Sequence, residues 1–133
     1  MKLLQWILTG ICSLYLFTSC SKDKEQVIET AVVSPGVYEG KYGTGNNTPS
    51  TFYSFRLNGD GTMQEIDVSG NVVGTGAWTI NGTTFRASYH YIFPATAYFV
   101  ATGTYDQATK KISGTWGYDD NDKDGGKWNM TKK

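Results

Sequence analysis

From Pro35 onward, apolar and polar positions alternate with a period of two, in short runs separated by turn residues. No stretch of useful length carries a helical period. Eight runs can be read: Gly36–Tyr42, Thr51–Asn58, Gly61–Val68, Val72–Ile80, Thr83–Phe93, Ala95–Tyr105, Lys111–Tyr118 and Gly126–Thr131. Turn chemistry joins several of them: Asn58-Gly59-Asp60-Gly61, Ser69-Gly70-Asn71, Asn81-Gly82 and Asp106-Gln107-Ala108-Thr109. Short connections make sequential neighbours antiparallel hairpins. The expected fold is therefore all-β: an eight-stranded antiparallel up-and-down meander that closes into a small barrel and so removes its free edges.

The alternation assigns faces. Phe85, Ala87, Tyr89, Tyr91 and Phe93 fall on one side of the fifth run, opposite Thr84, Arg86, Ser88 and His90. Ile112, Gly114, Trp116 and Tyr118 share a side of the seventh, and Val72, Gly74, Gly76, Trp78 and Ile80 a side of the fourth. A Gly-x-aromatic element recurs in Gly36-Val37-Tyr38, Gly40-Lys41-Tyr42, Gly76-Ala77-Trp78, Gly103-Thr104-Tyr105, Gly114-Thr115-Trp116 and Gly126-Lys127-Trp128. Each glycine shares a face with its aromatic partner. It lets the strand coil and is expected to leave room for a ring from the next strand. Trp78, Trp116 and Trp128 are expected inward and buried.

A helix-free meander that opens on Gly-x-aromatic resembles the calycin group of barrels over about residues 36–131. The avidin-like branch fits better than the lipocalin-like one. Lipocalins add a helix after the eighth strand, and fatty-acid-binding proteins insert two between their first strands, where this chain has only Gly43–Ser50. The resemblance rests on this pattern and implies the barrel fold; no ligand-contacting residue is carried over from it.

The pattern before residue 35 is different. Lys2 precedes a mostly apolar run to Phe17, too short to span a bilayer comfortably, followed by Thr18-Ser19-Cys20. Phe17-Thr18-Ser19-Cys20 resembles the lipobox of bacterial lipoproteins, with Phe17 where the family usually has Leu. The resemblance implies removal of residues 1–19, a lipid on Cys20 and anchoring to the membrane through it. With Ser21 rather than Asp after the cysteine, it also implies an outer-membrane address in a diderm cell envelope. A plain secretory signal or an uncleaved anchor is the alternative. Residues 20–34 then form the lipidated cysteine and a polar tether spanning at most about 50 Å, and residues 35–133 the barrel domain.

Charge and cysteines narrow the chemistry. Cys12 lies in the removed segment and Cys20 is the lipidation site, so the barrel has neither disulfide nor thiolate. Past residue 19 there are eleven Lys and Arg against twelve Asp and Glu, a net charge of −1 that gives nucleic acid no footing. No cofactor signature is present. The inward face is rich in phenols, which makes Tyr38, Tyr42, Tyr53, Trp78, Tyr89, Tyr91 and Trp116 the candidate ligand-binding set. The alternative is a filled core, with the loops Gly43–Ser50 and Asp119–Gly125 contacting a protein or glycan.

Asp120, Asp122 and Asp124 fit the first half of a calcium loop, D-x-D-x-D-G. Thr131 stands where that loop needs a bidentate Glu, so a solvated acidic turn is the expected outcome. His90, the sole histidine, falls on the polar face, and Glu39, Glu65 and Asp67 are expected outward or near a rim. No acid–base pair faces inward on this reading, and a binding module, not an enzyme, is expected.

Overall fold

In this computed structural model, residues 32–93 and 97–133 are described. Cys20, the expected signal segment and most of the expected tether lie outside them. The described chain forms eight strands: β1 (Gly36–Tyr42), β2 (Thr51–Leu57), β3 (Thr62–Ile66), β4 (Val72–Asn81), β5 (Thr84–Tyr91), β6 (Tyr98–Asp106), β7 (Lys111–Tyr118) and β8 (Gly126–Lys132). Each pairs antiparallel with the next, and β8 pairs back on β1, as at Gly40↔Met130, to close the barrel. The expected fold class is the observed one.

Turn residues act locally. Gly82 takes φ +59° at the first position of the two-residue β4–β5 hairpin, where a primed turn needs a positive φ. Asp60, Asp67 and Asp106 each accept a backbone N–H two residues on, from Thr62, Ser69 and Ala108, at 2.8–2.9 Å. Further bonds to the charged form, chiefly from the Thr62 hydroxyl to Asp60, the Asn71 amide to Asp67 and the Thr109 amide to Asp106, hold all three carboxyls below the usual range.

The glycines of the repeated element do something other than expected. A Cβ at Gly76 would lie 2.0 Å from the Ser88 carbonyl oxygen, and one at Gly114 would lie 1.9 Å from that of Thr102. What fills the gap is the backbone of the adjacent strand, not a ring, so these glycines let strands coil past each other. The ring-over-glycine contact occurs instead at Gly125, where a Cβ would sit 2.5 Å from the Trp116 ring.

The run boundaries shift most around the third, fifth and sixth strands. β3 is limited to Thr62–Ile66, and its pairing with β4 slips between Glu65 and Ile66, leaving Val73 as the extra residue. β5 stops at Tyr91 and β6 starts at Tyr98. Phe93, expected inward with Tyr91, is therefore past the strand end and 91 % exposed.

One end of the barrel carries the connections 43–50, 67–71, 92–97 and 119–125; the other carries 58–61, 82–83, 107–110 and both ends of the described chain. The second end is closed. Val33, counted by sequence in the tether, is 2 % exposed in the core. The Tyr38 hydroxyl donates to the Ser34 carbonyl at 3.0 Å, and Lys132 Nζ donates to Ser34 Oγ at 2.8 Å. The ordered domain thus begins before residue 35. Trp128, 1 % exposed, fills the middle, with Phe55, Phe85 and Tyr53 rings 5.9–6.0 Å from its own.

Candidate functional site

Above Trp128 the barrel is not filled. A cavity of about 240 Å³ opens at the end bearing the longer loops, lined by Tyr42, Thr44, Tyr53, Glu65, Tyr89, Tyr91, Phe99, Trp116 and Tyr118. Five of the seven sequence candidates meet here: Tyr42, Tyr53, Tyr89, Tyr91 and Trp116. Tyr38 and Trp78 do not. Tyr38 belongs to the closed end through Ser34. Trp78 is only half-buried, not fully buried as expected; it stacks on Phe85 at 6.1 Å and donates from Nε1 to the Asn58 carbonyl at 2.9 Å.

The walls form a continuous aromatic box. Tyr42 stands edge-on to Tyr53 at 5.3 Å and to Trp116 at 5.6 Å. Tyr91 and Tyr89 contact Phe99 at 4.8 and 5.3 Å, and Tyr118 packs on Trp116 at 5.5 Å. Trp116 is held in place by its Nε1, which donates to the Gly43 carbonyl at 2.9 Å, and by the clearance over Gly125. At the floor the hydroxyls of Tyr53 and Tyr89 hydrogen-bond to each other across the lumen.

Glu65 takes the inward face near the mouth. It was expected outward or near a rim. It lines the cavity and is 9 % exposed, and among the described residues it is the one charged-type side chain in the core. Its Oε2 has no hydrogen-bond partner among them. Burial pushes its carboxyl up to about 7. Burial also lifts the Tyr53 and Tyr89 phenols well above their ordinary value and Tyr91 to about 12, with the nearby Glu65 charge acting in the same direction on all three. Gly74, paired opposite, leaves space for it: a Cβ there would lie 3.3 Å from the Glu65 Cβ.

The signal for Glu65 was its parity with Met63, which is buried in the same strand. The signal for Phe99, also missed, was its parity with Ala101 and Tyr105. Tyr118 had been assigned to the inward face but not to the site. His90 points away from the lumen, its ring 5.5 Å from that of Tyr98 on the outer surface.

The acidic hairpin spreads its carboxyls apart. Among the described residues no three His, Cys, Asp or Glu side chains come together to hold an ion. Asp124 Oδ1 is already occupied, accepting the Tyr118 N–H at 2.9 Å, while Asn121 Oδ1 accepts from Lys123 N. Asp120, Asp122 and Asp124 act as turn residues here.

Comparison with protein-family models, curated proteins and solved structures returns no match, so the site is read from its own geometry.

Proposed function

We propose that this chain is a lipid-anchored lipoprotein of the cell envelope, with a calycin-like barrel that binds a small ligand in its open end. The cavity carries the reading: about 240 Å³ walled by phenols and indole, with one unpartnered carboxyl at its side. The anchor is compatible with the barrel: Ser34 sits at the closed end, so a tether running from it toward Cys20 would start on the side opposite the mouth. A binder is favoured over an enzyme because no second carboxyl and no histidine lines the cavity among the described residues. Native mass spectrometry of the protein purified from its host tests the reading: a retained small molecule, lost when Tyr53 or Trp116 is replaced, is the expected result.

A second reading, contact with a protein or glycan through the loops at the mouth, is favoured by exposed apolar side chains there. These are Val68, Ile92, Phe93 and Tyr98. They lie on or beside the connections 67–71 and 92–97, not on the Gly43–Ser50 and Asp119–Gly125 loops that their length had suggested.

A further inference from the structure

Glu65 is unexplained by the fold. A buried carboxylate without a counter-charge is an unfavourable arrangement, and a filled barrel would be better served by an apolar residue at this position. Among the described residues no Lys, Arg or His lines the cavity or the lateral notch that reaches Glu65 between β2 and β4. The groups facing it are phenols: Tyr42 from β1, Tyr53 from β2, Tyr89 and Tyr91 from β5, and Tyr118 from β7. The other charge nearby is negative. Asp67, on the loop after β3, borders the notch with its carboxylate tied to the Ser69 and Asn71 amides. An uncompensated negative charge thus faces a box of aromatic rings, whose electron-rich faces attract cations.

We infer that the cavity takes a small organic cation, a protonated amine, with its ammonium against the Glu65 carboxylate and its carbon skeleton against the rings of Tyr42, Tyr91 and Trp116. This assignment rests on the luminal binding site proposed above. An ammonium supplies the donors that Glu65 Oε2 lacks and can also donate to phenolic oxygens. An inorganic divalent ion fits worse, since calcium needs about six to eight oxygen ligands and the site offers one carboxylate. The cavity of 240 Å³ corresponds to about eight water volumes, which suits a skeleton on the order of ten non-hydrogen atoms or fewer.

A cation on Glu65 favours the ionised carboxyl. Amine affinity must therefore rise with pH through about 7, where Glu65 loses its proton in the unliganded protein. Tyr53, Tyr89 and Tyr91, their phenols raised by burial, stay neutral in that range, and Asp67, its carboxyl lowered, stays charged.

The test is calorimetric titration of the full chain in detergent with benzylamine, isobutylamine, their isosteric alcohols, and benzoate. At about pH 8.5 an amine is expected to bind at least about tenfold tighter than its alcohol, and at about pH 5.5 the difference should shrink to about threefold or less. Glu65→Gln should abolish the amine preference at the higher pH, with the fold checked by its circular dichroism, since the amide is a neutral isostere. If an alcohol or benzoate binds as tightly as the amines at about pH 8.5, the cation assignment is overturned while the luminal site stands. An amine preference that survives in Glu65→Gln overturns it equally. If no probe binds at millimolar concentration and no ligand is retained from the host, the luminal site and the cation assignment both fall.

Discussion

Tyr53 of β2 and Tyr89 of β5 join their hydroxyls across the lumen, which makes a polar tie at the boundary between the filled half of the barrel and the open one. Beneath them Phe55 packs on both rings, at 4.7 and 5.3 Å. Each hydroxyl is the other's partner on a nearly buried ring, so the two act as a unit. Tyr53→Phe or Tyr89→Phe alone strands the remaining hydroxyl and is expected to lower stability by about 1–3 kcal/mol. The double Phe variant should lose less than the sum of the two. Urea denaturation of the four proteins checks this, and strict additivity would mean the hydroxyls are not coupled.

Glu65 gives the barrel an inverted pH response. Its folded carboxyl titrates at about 7, above the ordinary 4.5, so the folded state holds a proton that the unfolded state releases between these values. The stability it contributes is fully present below about 4.5 and is lost as pH rises through about 7, a difference of about 3 kcal/mol. Asp60, Asp67 and Asp106 have lowered values and act only in more acid solution, in the opposite sense. Denaturation across this range should therefore show falling stability for the parent and a flat profile for Glu65→Gln. A parent profile that is also flat would place the carboxyl in water.

The tryptophans should rank by burial. Replacing Trp128 or Trp116 by Ala is expected to lower stability by about 3–5 kcal/mol, the range for emptying a large buried aromatic site. Trp78→Ala should lose clearly less, because that ring is half-exposed. A loss below about 1 kcal/mol at Trp116 would contradict its place against Tyr42 and Gly125.

Calcium at millimolar concentration should leave the melting temperature unchanged, since the acidic hairpin spends Asp124 on the Tyr118 amide. A calcium-specific rise that disappears in Asp122→Asn would show the hairpin to be a site after all.

The anchor can be tested independently of the barrel. Cys20→Ala is expected to release the protein from membranes or leave it unprocessed, and to remove labelling by a palmitate analogue. Label persisting in that variant would refute the lipid assignment.

Much of the fold is written in local alternation. Because successive strand residues point to opposite faces, Tyr53, Tyr89, Trp116 and Trp128 could be placed inward from sequence, and Asp60, Gly82 and Asp106 marked turns through their own hydrogen bonds and dihedrals. Parity says which face a residue takes but not how high it stands along the barrel axis. That height depends on strand stagger, which the closed hydrogen-bond register sets. Only closure therefore sent Tyr38 and Trp78 to the sealed end and gathered Tyr42, Tyr91, Phe99 and Tyr118 at the mouth. Glu65 shows the same division. Its parity with Met63 was legible, but its charge argued for solvent, and no local rule predicts a buried carboxylate without a partner. The clearance over Gly74, its partner across the β3–β4 hairpin, leaves room for it on the inward face, and that clearance belongs to the pairing between two strands, not to Glu65 itself.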